Sequence, residues 1–150
     1  AQVHLIEDWA DTTLANHARY QLIQAISLNK ELRERLVPEP IAALSPLLNA
    51  LPYDLLFSTS ELWWKTKFSD LLISLKQLSA LVEVNQWLVG NSMSFADIAV
   101  AAQLSLIRFP PSSGEQLAGK GCPGLVDHPE LQKLFQWRDE LDLSLMQTES

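Results

Sequence analysis

The sequence predicts an all-α fold. Three observations carry that expectation. Apolar residues recur at helical spacing in several long stretches. No stretch alternates apolar and polar residues between turn signals, as a half-buried strand does. The longest apolar-periodic run, near the start, holds no glycine or proline.

The first helix is expected from about Val3 to Leu28. Val3, Ile6, Ala10, Leu14, Ala18, Leu22 and Ile26 make its stripe, mostly in i+4 steps, and Glu7, Asp8, Asp11 and Arg19 take the opposite face. Ala10 and Ala18 leave room for a close helical neighbour. From Leu36 to Ser60 the pattern changes. Pro38, Pro40, Pro46 and Pro52 each remove a backbone donor and crowd the preceding turn, so no long regular helix crosses them. Ile41-Ala42-Ala43-Leu44 and Leu47-Leu48 are too apolar for a solvated linker, and an ordered connection with short helical pieces is expected. A second long helix should run from about Ser60 to Val84, on a stripe of Trp64, Phe68, Leu71, Leu72, Leu75, Leu78 and Val82, with Ser58 and Glu61 spaced for a capping box.

A third helix, about Phe95 to Ile107, is apolar nearly all round and should be the buried central one. Pro110-Pro111-Ser112-Ser113-Gly114 ends it. A short helical piece is expected at Glu115 to Ala118, then an irregular loop through Gly119, Gly121, Pro123 and Gly124. The last helix should start near Asp127 to Pro129 and run to about Met146, with Leu131, Leu134, Phe135, Arg138 and Leu141 at helical spacing. All 150 residues read as one domain.

Composition excludes several functions. Apolar residues make up 47% of the chain, enough for a core without staples. A net charge of −7 gives no basic footprint for nucleic acid and disfavours an anionic membrane surface. No apolar run approaches the ~20 residues of a membrane span. Ala1-Gln2-Val3-His4 lacks the basic start and apolar block of a secretory signal. Cys122 is the sole cysteine, which rules out an intrachain disulfide and fits a reducing, cytoplasmic setting. Its one nearby cation in sequence, Lys120, is too little for a catalytic thiol. His4, His17 and His128 show no metal-ligand spacing, and the five glycines fit no phosphate-binding loop. No metal or cofactor is expected in this chain.

The informative stretch is Trp87-Leu88-Val89-Gly90-Asn91-Ser92-Met93-Ser94-Phe95-Ala96-Asp97-Ile98. Ser94 sits at the N-cap of the third helix and Asp97 three residues on. The hydroxyl can accept from the Asp97 N–H while the carboxylate reaches back to the Ser94 N–H. Met93 and Ile98 are placed for a hydrophobic staple. A buried helix needs such a device, because its first N–H groups cannot reach water.

A Trp-Leu-Val-Gly segment, a box with its staple and a small-residue apolar helix, all following two long amphipathic helices, closely resemble the C-terminal domain of glutathione S-transferases of bacterial type. Leu5-Ile6-Glu7-Asp8-Trp9 looks like that family's first C-domain helix. Pro123-Gly124-Leu125, His128-Pro129 and Phe135-Gln136-Trp137-Arg138 look like its last helical stretch. The resemblance spans nearly the whole chain.

The resemblance implies an enzyme that conjugates or reduces electrophiles with glutathione, a detoxification chemistry. It also implies that glutathione, the co-substrate of the full-length protein, binds in an N-terminal thioredoxin-like domain. Val37-Pro38 and Glu149-Ser150 match two of that domain's signatures but stand out of context, so it is expected to lie outside this chain, and no catalytic residue is expected within it. A homodimer is implied for the full-length form. In the family the first C-domain helix lines the co-substrate pocket. Thr13, His17 and Tyr20, at i, i+4 and i+7, are the candidates for that wall, and Phe109, at the end of the central helix, is a further one. The same four positions also fit ordinary packing or exposure. The alternative reading is a stand-alone helical protein-interaction module without catalytic activity.

Overall fold

The computed structural model describes residues 1–36 and 61–148, with backbone alone at 61–64. The proline-punctuated connection, the Ser58–Glu61 box, the Val37-Pro38 and Glu149-Ser150 pairs and the Trp64 side chain lie outside the described residues. The class is all-α. Among the described residues the only β-type pairing is a single antiparallel bridge between Arg108 and Gly121.

The chain opens as one rod made of α1 (Gln2–Trp9), a π turn (Ala10–Leu14) and α2 (Ala15–Leu28). Trp9, Ala10 and Ala15 all keep right-handed helical angles, so the rod is continuous. The π turn has a sequence cause. Four α-helical residues turn the chain about 40° past a full circle, so apolar positions strictly four apart drift around the axis. A π turn holds more residues per turn and absorbs that excess. Ala10, Leu14 and Ala18 are thereby all buried, with Ile6 packed on the same core. The Thr12 hydroxyl donates to the Asp8 carbonyl at 2.6 Å within the segment that changes register. Past Ala18 ordinary helical spacing returns, and the buried face continues through Gln21 and Ala25. The expected i+4 extension to Leu22 and Ile26 is therefore corrected. Both are only half-buried, at the edge of that face.

A short helix α3 (Lys30–Leu36) follows, where the sequence reading has no element. Asn29 caps it by accepting from the Leu32 N–H at 3.2 Å, and Leu32 is its buried anchor. Glu31 accepts from Arg35 at 3.0 Å and from Lys120 at 2.6 Å, tying α3 to the loop beyond the central helix.

The second long helix, α4 (Glu61–Val84), buries Leu71, Leu75 and Leu78 and packs Phe68, Leu72 and Val82 against the same core. The central helix is α5 (Phe95–Ile107). It packs against α1, the π turn and α2 on one side and against α6 (Gln132–Thr148) on another, and α6 also meets α4. Ala96, Val100, Ala101, Leu104 and Ile107 are buried. The expectation of burial all round is corrected. Phe95 is 70% exposed and Ile98 38%, and with Ala102 they form an apolar strip at the surface. Apolar composition placed α5 at the centre but did not show which face lacks a neighbour.

After α5 the chain turns back on itself. Phe109 N–H donates to Lys120 O at 2.8 Å, and Cys122 N–H donates to Ile107 O at 2.7 Å. Gly121 lies so close to α5 that a Cβ there would fall inside the contact distance of the Ile107 carbonyl. Between these strands of contact runs a 3-10 turn (Pro111–Ser113), whose Ser112 N–H and hydroxyl donate to Asp142 at 3.0 and 2.7 Å. Residues 115–119 are turns, which corrects the expected helical piece at Glu115 to Ala118. The bond from Ala118 N–H to Gly114 O closes a single turn there.

A 3-10 turn (Pro129–Leu131) leads into α6. Arg138, in the middle of α6, is 1% exposed. Its guanidinium donates to the Arg108 carbonyl, to Ser105 Oγ at 3.2 Å and to Asp139 at 2.8 Å. Arg108 and Arg138 also lie 5.3 and 5.9 Å from the Phe135 ring centroid. A buried cation survives only with such partners. These contacts fasten the end of α5 to α6.

Candidate functional site

The start of α5 is tightly specified by side-chain hydrogen bonds. Both limbs of the reciprocal box between Ser94 and Asp97 are present. Asp97 is fully buried. Its Oδ2 accepts from the Ser94 N–H at 2.8 Å and from the Ser94 hydroxyl at 2.7 Å. Its Oδ1 does something sequence spacing did not suggest: it accepts from the Leu88 N–H at 2.8 Å, nine residues back. One carboxylate thus closes the 88–97 loop onto the helix start. The Leu88 side chain is itself buried, which gives a physical reason for a leucine in the Trp-Leu-Val-Gly segment. Met93 and Ile98 are 41% and 38% exposed, so the staple pair sits at the surface.

The residues picked for a pocket wall fare differently from one another. Thr13 is exposed, His17 half-buried and Tyr20 41% exposed, along one face of the rod. His17 looks toward α4. Burial lowers its pKa, the Lys67 charge lowers it further, and Asp70 opposes them. The rod and α4 thus meet where His17, Lys67 and Asp70 feel one another. Phe109 stands apart in kind. It is 8% exposed and belongs to the core cluster, with its backbone held by the Lys120 carbonyl.

Among the concavities of the described surface are a groove and a cleft that none of these four residues lines. A groove of about 220 Å³ between α1 and α4 is walled by Ile6, Trp9, Leu78 and Leu81 and closed by Leu88. A cleft of about 450 Å³ lies between the end of α4 and α6, around Trp137. Sequence reasoning passed over both, because a groove between two helices has no signature within either one. The half-buried Trp9 on an otherwise acidic turn was the available signal.

Cys122 is fully buried, and burial pushes its thiol up to about 12. It is a packing residue, not a nucleophile. His4 pairs with Glu7 at 3.2 Å, on the exposed face of α1. Among the described residues no group of three His, Cys, Asp or Glu side chains could hold a metal ion, and no helix is long and apolar enough to cross a membrane.

What these features define is a helical bundle wrapped on a central apolar helix whose first turn is locked by a buried carboxylate. Residues 65–137, from α4 through the box to Trp137, match the family model described as the glutathione S-transferase, C-terminal domain. Comparison with curated proteins and with solved structures gives no match.

Proposed function

We propose that this chain is the helical half of a glutathione transferase-like enzyme that conjugates or reduces small electrophiles with glutathione in the cytoplasm. The observation that carries this reading is the family match over 65–137, taken with a half-buried His17 facing that matched region. In this reading the rod and α4 make one wall of the electrophile's pocket, with Thr13, His17 and Tyr20 along it. A thioredoxin-like half brings glutathione and the group that activates its thiol. The exposed Phe95–Ile98 strip supports a covering partner on α5, and the groove between α1 and α4 supports a dimer contact.

The test uses the protein as isolated from its own cells, assayed with glutathione and an aromatic halide or enone. Turnover is expected. His17→Ala should raise KM for the electrophile several-fold and leave KM for glutathione unchanged, because it removes pocket wall and not the thiol site. Absence of glutathione consumption would overturn the enzyme reading. A second reading, a protein-interaction module, draws on Leu81, Ile73 and Val84, which stay exposed on α4. A stable hetero-complex without glutathione turnover would establish it.

A further inference from the structure

We propose that the cleft between α4 and α6 binds an organic ammonium ion with an apolar body, the cation between Glu83 and Glu140 and the body against the Trp137 ring. The ring is fixed in place, because Trp137 Nε1 donates to the Gln86 carbonyl at 2.9 Å. It remains half-buried, forming part of the cleft wall with Val82 beside it. Glu140 is steadied by Gln136, which donates to it at 2.9 Å. Glu83 lines the same cleft, is exposed, and has no ion-pair partner among the described residues. Two carboxylates and an indole lining one cleft supply the groups that hold an ammonium ion, through charge-assisted hydrogen bonds and cation–π attraction.

The cleft also contains Lys133, and its position sets the ligand's orientation. Lys133, Trp137 and Glu140 stand at i, i+4 and i+7 on α6, so Lys133 and Glu140 are about 10 Å apart along the axis, on either side of the ring. A ligand cation therefore sits at the Glu140 end, away from Lys133. The net charge of −7 adds a long-range pull on cations. An uncharged ligand of the same shape gains none of these terms, and a carboxylate is repelled where the cation would sit.

The 150-residue chain, labelled with ¹⁵N, is titrated with phenethylammonium, 2-phenylethanol and 3-phenylpropionate, following the Trp137 indole N–H assigned with W137F. Phenethylammonium should shift that signal saturably and bind more weakly as salt rises. The double variant E83Q/E140Q should weaken it about tenfold, the scale of one charge-assisted contact. K133M, which touches neither carboxylate, should strengthen it, and this single variant decides the matter if the double variant does not fold. No saturable shift overturns the proposal. Equal binding of the alcohol overturns it too, leaving an apolar cleft alone. Tighter binding of the carboxylate, with K133M weakening it, overturns it in favour of an anion site.

Discussion

Replacing Asp97 with alanine tests the account of the α5 start most directly. The carboxylate takes three hydrogen bonds, from Leu88 N–H, Ser94 N–H and Ser94 Oγ, all at 2.7 to 2.8 Å. It does so fully buried. Alanine leaves the Leu88 N–H without a partner in a buried segment, at a cost of about 1–3 kcal/mol. The lost cap limb at Ser94 costs about 1 kcal/mol more, and the emptied carboxylate volume adds to it. The sum is about 3–5 kcal/mol, a large part of a typical domain's 5–15 kcal/mol or so. Urea unfolding followed by helical circular dichroism measures it as a lower midpoint with an unchanged slope. Ser94→Ala should cost only about 1 kcal/mol, because Asp97 keeps both backbone donors. The double variant should cost clearly less than the two single losses added, since they share the same bonds. A midpoint change worth under about 1 kcal/mol for Asp97→Ala would refute the reasoning, because it would mean that the 88–97 loop closes without that carboxylate.

Three further outcomes follow from separate features. Gly121→Ala forces a Cβ onto the Ile107 carbonyl and should destabilise by about 2 kcal/mol; Gly90→Ala meets no atom within 4 Å but strains a φ of 74° and should cost about 1 kcal/mol, both read by urea unfolding. The His17 pKa lies below its ordinary 6.5, so in acid the unfolded chain takes up that proton first, and stability should fall as pH drops below about 6.5. His17→Gln should remove that part of the slope, and an unchanged slope would show the ring to be freely solvated. The Cys122 thiol, buried and pushed up to about 12, should react with a disulfide reagent at pH 8 far more slowly than a free thiol and at full speed in urea; native reaction at the free rate would place it at the surface.

What the sequence made legible was local. The Ser94–Asp97 box is a three-residue relation, and the α4 stripe is a periodicity, so both could be read without knowing any neighbour. The reach of Asp97 to Leu88 could not, because it depends on how a nine-residue loop closes. Arg138 falls at helical spacing beside Leu134, Phe135 and Leu141, yet nothing in that spacing says that it is buried. Its burial depends on a carbonyl and a hydroxyl thirty and more residues away. Helix α3 went unread because Lys30–Leu36 is short and mostly charged and holds a single deeply buried anchor. The solvent-facing strip on α5 is the opposite failure. Phe95 and Ile98 look like core in one dimension, and only the packed structure shows them uncovered.

The π turn bears on how length variation can enter this rod. It acts as one spare residue between two clocks that must agree, the face of α1 and the face of α2. Removing a single residue from 10–14 would restore an ordinary helix and leave both faces in register, because the turn already absorbs the extra residue. Ile6 and Trp9 would then keep the groove they wall. A relative one residue shorter here can therefore present its own groove-lining aromatic from the same place, so the correct alignment of Trp9 turns on setting the gap within 10–14.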